Sequence, residues 1–174
     1  MLSINTHNNT VFFRDIKTEH LPRILDWYNK IDDFKFATGI DAPISMGILM
    51  GKLAEVRISS EEFFVGIHLR QSEMIGVLKG RVQNRIRSTA WINSIVIDPL
   101  YQKKGYGSSA IELLLWYLST QKGTQTVLLS VIEENTAGVE FWSKNGFQKI
   151  RRIENHIILQ DKGQNVIIMQ KTLM

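Results

Sequence analysis

The residues best suited to chemistry sit in one run, Gln102-Lys103-Lys104-Gly105-Tyr106-Gly107-Ser108, just ahead of a helical pattern. Amides at a helix start have no intrahelical acceptor and carry partial positive charge, so they bind anions, phosphates above all. Gly105 and Gly107 remove side chains that hold a ligand away from the backbone. Lys103 and Lys104 add full charges beside them. The run predicts a site for a phosphate-bearing ligand. The chain has no cysteine, so it has no thiolate nucleophile, disulfide or Cys-based zinc site. His7, His20, His68 and His156 show no metal-ligand spacing, and no metal site is expected.

The patterns around this run predict the elements that position it. A strand is expected at Val11–Ile16. A helix follows, capped by Thr18, with Leu21, Ile24, Leu25, Tyr28 and Ile31 as its apolar stripe and Pro22 near its first turn. Residues from Asp32 to Pro43 read as irregular. Ser45 caps a second helix whose Met46, Leu49, Leu53 and Val56 recur at helical spacing. Phe63–Leu69 and Met74–Val82 read as a hairpin around Arg70–Glu73, and the polar segment Asn84–Thr89 leads into a central strand, Trp91–Ile97.

After the glycine run, a helix over Tyr106–Thr120 buries Ala110, Leu114, Tyr117 and Leu118, and Gly123 ends the connection. Thr126–Ile132 is nearly continuously apolar, as a strand covered on both faces should be. Asn135 caps a short helix carrying Phe141 and Trp142, closed by Asn145-Gly146. Phe147–Leu159 and Asn165–Lys171 form a last hairpin around Asp161-Lys162-Gly163. Hairpins mixed with strand–helix–strand units predict one α/β domain over residues 1–174, with a mixed sheet and helices on both faces.

Composition narrows the partners. Hydrophobic residues make up 44% and charged residues 22% of the 174, ordinary values for a soluble globular chain. No window approaches the roughly 18 apolar residues of a membrane span, and the start lacks the basic and apolar stretches of a signal peptide. No membrane contact and a cytoplasmic location are therefore expected. The net charge of +4 suits an anionic ligand. Arg81, Arg85 and Arg87 lack interleaved aromatics, so nucleic acid is not the expected partner.

Three phosphate loops are conceivable. No Gly-x-x-x-x-Gly-Lys-Ser/Thr is present. The dinucleotide pattern matches literally at Gly105, Gly107 and Ala110, with Glu133 as a ribose-binding acid. In that fold, however, the first glycine follows its strand almost directly. Here Asp98 to Lys104 intervene, and too little chain remains for further strand–helix units. The third loop fits. Gln102-x-x-Gly105-x-Gly107, preceded by Ile95-Val96-Ile97-Asp98-Pro99, resembles the acyl-CoA loop of the GNAT superfamily of N-acyltransferases. Asn135-Thr-Ala-Gly-Val-Glu-Phe-Trp-Ser-Lys-Asn-Gly146-Phe147 resembles the second signature of the same family. The resemblance runs over nearly the whole chain and weakens before about Val56.

The resemblance implies a GNAT-like fold with splayed central strands, acetyl-CoA as co-substrate and an amine as acceptor. Amides of Lys103, Lys104, Gly105, Tyr106, Gly107 and Ser108 would hold the pyrophosphate, beside Gln102. The pantetheine arm would pair with Ile95, Val96 and Ile97 as an added strand, within reach of Asn135 and Trp142. The splay calls for a bulge near Asn93–Ile95, and an amide near Val96 would steady the oxyanion. The family's thiolate-protonating tyrosine falls on Trp142, whose indole donates a hydrogen bond but is no acid in water. Tyr101, Tyr106 and water are substitutes. For the base, Asn93 could hold a water, Glu133 and Glu134 are carboxylates at a strand end, and the glutamate of some relatives falls on Ser130.

Asp32, Asp33 and Asp41 make the segment between the first two helices acidic, which suggests a cationic primary amine: a polyamine-like metabolite, an amino sugar, or a protein N-terminus or lysine. The rival reading is a CoA-binding module without catalysis, prompted by Trp142. A homodimer is compatible with such a chain, although nothing in the sequence selects it.

Overall fold

The computed structural model describes residues 1–69, 73–83 and 88–173. Their strands are β1 (Thr6–His7), β2 (Phe12–Asp15), β3 (Glu62–His68), β4 (Met74–Gln83), β5 (Thr89–Ile97), β6 (Thr126–Ile132), β7 (Gln148–Leu159) and β8 (Lys162–Thr172). They form one sheet in the order β1-β2-β3-β4-β5-β6-β8-β7. Neighbours are antiparallel except β5 and β6, which are parallel. The helices are α1 (Leu21–Tyr28), α2 (Ile31–Thr38), α3 (Met46–Ile58), α4 (Tyr106–Lys122) and α5 (Thr136–Lys144).

Period-two alternation in β3 divides the core. Phe63, Val65 and Ile67 face a cluster containing Ala110, Leu114 and Leu118 of α4 and Trp142 of α5. Phe64 points the other way, into a cluster with Leu21, Ile24 and Trp27 of α1, Phe34 of α2 and Leu49, Leu53 and Val56 of α3. Helices therefore cover both faces of a mixed, mostly antiparallel sheet, as the sequence pattern predicts.

The parallel junction opens partway along. β5 and β6 pair from Thr89 opposite Thr126 only as far as Ile92 opposite Leu129, although β5 continues to Ile97 and β6 to Ile132. On its other side β5 carries a bulge: Ser94 faces Lys79 and Ile92 faces Gly80, leaving Asn93 without an opposite number. An inserted residue bends its strand and increases local twist, which drives the splay. Only glycine fits at position 80, where a Cβ would lie 2.4 Å from the Trp91 carbonyl and 2.5 Å from Phe63.

Local expectations are corrected in three places. The stretch read as irregular is helical over Ile31–Thr38; Asp32 and Asp33 occupy its first turn, Phe34 is buried, and Gly39 at φ 69° stops it. Ile31 therefore starts α2 rather than extending α1. Thr18 is no cap but opens a 3-10 turn, Thr18–His20, in which the Lys17 amide donates to His20 Nδ1. The short strand β1 had no sequence signal. Arg70, Arg85 and Arg87, with most of the Asn84–Thr89 segment, lie outside the described residues.

Candidate cofactor and acceptor cleft

The loop between β5 and α4 is shaped by its backbone. Asp98 accepts hydrogen bonds from the Leu100 amide at 3.0 Å and the Trp27 indole at 2.9 Å. It also lies 3.5 Å from the Arg23 guanidinium. Burial works against the Asp98 charge, but these donors overcome it and hold the carboxyl below the usual carboxylate range. Gln102 Nε2 donates to the Ile97 carbonyl at 2.8 Å, so the loop is pinned back onto the end of β5.

Two left-handed residues, Lys103 at φ 58° and Gly105 at φ 84°, then turn the chain into α4. Among the described residues the helical ladder begins with Ser109 N donating to the Gly105 carbonyl. The amides of Tyr106, Gly107 and Ser108 lie ahead of that ladder. The two glycines turn out to have different reasons. A Cβ on Gly105 would meet nothing within 4 Å, so the backbone angle demands glycine there; a Cβ on Gly107 would lie 3.2 Å from Phe141 Cε2, so close packing of α4 on α5 demands it.

The splay and the loop open into one cleft of about 710 Å³. Asn93, Ile95, Ile97, Gln102, Lys103, Gly105, Gly107, Ser108, Asn135 and Trp142 all line it, as does Ser130 on the facing strand. Lys104, Tyr106, Val96 and Glu133 are not part of its wall. The Lys104 ammonium instead sits 5.6 Å from the Tyr101 ring, and Tyr106 packs against the α4 core. Val96 turns its side chain into the α1–α3 cluster, leaving only backbone for the site. Glu133 is held by Arg152 Nε at 2.8 Å and Asn165 Nδ2 at 3.0 Å. The Arg152 and Asn165 hydrogen bonds lower its pKa, which makes it a poor proton acceptor.

Asn135 uses Oδ1 to cap α5, accepting from the Gly138 amide at 2.9 Å, so its NH₂ group is what remains for a ligand. Trp142 is 7% exposed, with its ring edge-to-face on Phe141 at 5.0 Å and on Phe147 at 5.3 Å. Tyr101 lines the cleft, and a hydrogen bond from its hydroxyl to Glu73 raises its pKa.

The opposite end of the cleft is built by α2 and the last hairpin, from Asp33, Phe34, Phe36, Ala37, Thr38, Ile157 and Val166. Phe36 packs into a small cluster with Ile132, Leu159 and Val166. Asp41 Oδ2 accepts the Gln160 amide at 2.8 Å, and Lys35 Nζ donates to Gln160 Oε1 at 3.2 Å. The segment after α2 is thus strapped to the hairpin tip. Of the three acids singled out in this segment, only Asp33 reaches the cleft; Asp32 lies outside its wall and Asp41 is part of the strap. Sequence reasoning missed the Trp27–Asp98 tie and the helical form of α2, although the segment that α2 occupies was the one whose acids suggested a cationic acceptor. Two turns around one buried residue, Phe34, are too short to show helical periodicity.

Known proteins resemble this arrangement at several levels. The acetyltransferase (GNAT) domain model matches residues 13–165. An N-acetyltransferase of Haemophilus ducreyi acting on the alanine of ribosomal protein bS18 is 23% identical over 104 residues, 59% of this chain and 71% of that one. The spermidine N-acetyltransferase of Vibrio cholerae, solved in complex with CoA and spermine, superposes with a TM-score of 0.84 at 21% identity, over 95% of this chain and 96% of that one. The Salmonella typhimurium acetyltransferase that modifies the N-terminal serine of ribosomal protein L7/L12 gives 0.83 at 16% identity, over 96% and 97%. With the glycine loop, the opened parallel junction and the Asn135–Phe147 helix all in the matched span, the chain belongs to the GNAT family of acetyltransferases.

Proposed function

We propose that this acetyltransferase takes its acetyl group from acetyl-CoA and delivers it to a singly charged primary amine, with a protein N-terminal α-amine as the acceptor class. The observation that carries the reading is the gap that opens beyond Ile92 and Leu129, bordered by helix-start amides on one side and by Asp33 of α2 on the other. The loop fits a pyrophosphate: Tyr106, Gly107 and Ser108 present amides ahead of the ladder, and Gly105 supplies a turn without a side chain. The exposed edge of Ile95–Ile97 suits main-chain pairing by a pantetheine arm. The thioester supplies an electrophilic carbonyl to the gap, and backbone near Val96 is suited to receive the developing oxyanion.

Two features support this acceptor class. Asp33 is the one charged residue of the far wall named above, beside Phe34, Phe36, Ala37, Thr38, Ile157 and Val166, which matches one ammonium better than a polycation. The described wall also carries no histidine, so an acceptor that loses its proton easily is favoured. An α-amine with pKa near 7.8 costs about 1 kcal/mol to deprotonate at pH 7, against about 4–5 kcal/mol for an alkylamine near 10.4. The relatives acting on bS18 alanine and on the L7/L12 N-terminal serine point the same way, and the spermidine enzyme is the contrasting case. Such an acceptor implies a cytoplasmic protein; among the described residues no helix is long and apolar enough to cross a membrane.

Thiol release from acetyl-CoA tests this, with peptides bearing N-terminal serine or alanine, with spermidine and with glucosamine as acceptors. The expected result is release with a peptide at a kcat/KM well above that with spermidine. Release with spermidine alone would overturn the acceptor class. Calorimetric CoA binding with no release for any amine would instead favour a non-catalytic CoA-binding module.

A further inference from the structure

We propose that Ser94 and Tyr28 form the exit for the acceptor's proton, leading from the cleft into a small pocket lined in part by hydroxyl and ammonium groups; this rests on the amine-acetylation reading above. Ser94 follows the unmatched Asn93 of the bulge, and both line the main cleft. The same two residues also line a second pocket of about 180 Å³, together with Tyr28, Thr38, Lys52 and Lys79. The bulge is therefore the wall between the two spaces, and Ser94 reaches both.

Tyr28 is 6% exposed at the end of α1 and hydrogen-bonds the Ser94 side chain. Burial raises its pKa against that hydrogen bond, so the group remains a phenol, able to accept one proton while donating another. Ile40, Leu49 and Phe64 complete the wall of the second pocket, so the lining is half polar, and the space is large enough for several water molecules beside the hydroxyls and ammonium groups. Its charged surroundings are Lys52 from α3 and Lys79 from β4, whose ammonium lies 3.7 Å from the Glu62 carboxylate of β3.

The transfer balances as a relay. The N–H bond of the acceptor ammonium breaks and its proton goes to Ser94 Oγ. The Ser94 hydroxyl hydrogen passes to the Tyr28 oxygen, and the Tyr28 hydrogen passes to pocket water. From the pocket water the proton passes to bulk solvent. The amine keeps its electron pair for attack on the thioester, and both hydroxyls end neutral. Ser94 is the residue that touches the acceptor; Tyr28 acts through it.

The test is kcat/KM for an N-terminal serine or alanine peptide between pH 6 and 9.5, for Ser94→Ala, Tyr28→Phe and Ser94→Thr. A relay predicts a loss of about tenfold to hundredfold at pH 6 for the alanine and phenylalanine variants. The loss should shrink above pH 9, where the amine arrives neutral, and Ser94→Thr, which keeps the hydroxyl, should retain more of the pH 6 rate than Ser94→Ala. CoA affinity by calorimetry should not change. A loss that is equal at every pH, or no loss at all, would overturn the relay. A wild-type protein that binds CoA but acetylates no amine would instead remove the function on which the relay rests.

Discussion

Trp27 donates its indole N–H to the Asp98 carboxylate at 2.9 Å, across 71 positions of chain. Through that bond α1 is fastened to the turn that begins the glycine loop, and the same carboxylate also caps the turn through the Leu100 amide. A buried carboxylate is tolerated here because its acceptor positions are met by donors, one of them cationic.

Asp98→Asn keeps the shape and removes the charge. It should cost about 1–3 kcal/mol of stability, measured by urea unfolding at pH 7. Because the folded pKa of Asp98 is depressed, its contribution is present above the unfolded carboxyl value near 3.9 and fades as pH falls through the folded value. The stability of the asparagine variant should accordingly depend less on pH below about 4 than that of the wild type. Parallel curves for the two proteins over that range would refute the assignment.

The two loop glycines should fail for separate reasons. Gly105→Ala places a Cβ at φ 84°, costing roughly 1–2 kcal/mol whatever surrounds it. Gly107→Ala pushes a methyl to within 3.2 Å of Phe141, and trimming that ring with Phe141→Leu should restore its CoA affinity. The same second change should do nothing for Gly105→Ala. Calorimetric CoA titration of the four variants checks the pattern.

Trp142 is a packing residue in this account. Its ring, set between Phe141 and Phe147, makes Trp142→Ala cost about 3–5 kcal/mol by thermal or urea unfolding. Trp142→Phe should fold and leave the shape of the kcat pH profile unchanged, since indole does not titrate. A limb of the profile that vanishes in the phenylalanine variant would restore Trp142 to the proton chemistry.

Asp33 and Asp41 separate binding from architecture. On the proposed function, Asp33→Asn should raise the acceptor KM several-fold and leave the CoA affinity alone, because Asp33, unlike Asp32 and Asp41, lines that end of the cleft. Asp41→Asn should lower the melting temperature with little change in KM, since that side chain holds Gln160. Steady-state kinetics paired with thermal melts distinguish them; interchanged outcomes would place the acceptor elsewhere.

What the sequence made legible follows from the length of each signal. The runs Trp91–Ile97 and Thr126–Ile132 are long, apolar and bounded by turn residues, and both are strands of the sheet centre. The Asn135 cap and the Gly146 stop are short-range chemistry and appear where their residue types place them. The bulge at Asn93 is expected only because the resemblance requires a splay; the register shift sits opposite Lys79 and Gly80, on a strand read independently. The helix α2 was lost because eight residues around one buried phenylalanine carry too little periodicity. The Tyr28–Ser94 contact and the Trp27–Asp98 bond join distant segments, and pairings of that kind leave no trace in local pattern. Glu133 shows the converse error: a strand-end acid looks available in sequence, yet Arg152 from another strand holds it.

A structure of the protein with CoA bound is the most direct measurement. The pyrophosphate should lie on the Lys103–Ser108 amides and the pantetheine arm along Ile95–Ile97, inside the gap beyond Ile92 and Leu129, with its sulfur facing Asn93 and Ser94. CoA bound outside that gap, or a gap closed by continued pairing of the two strands, would contradict this placement.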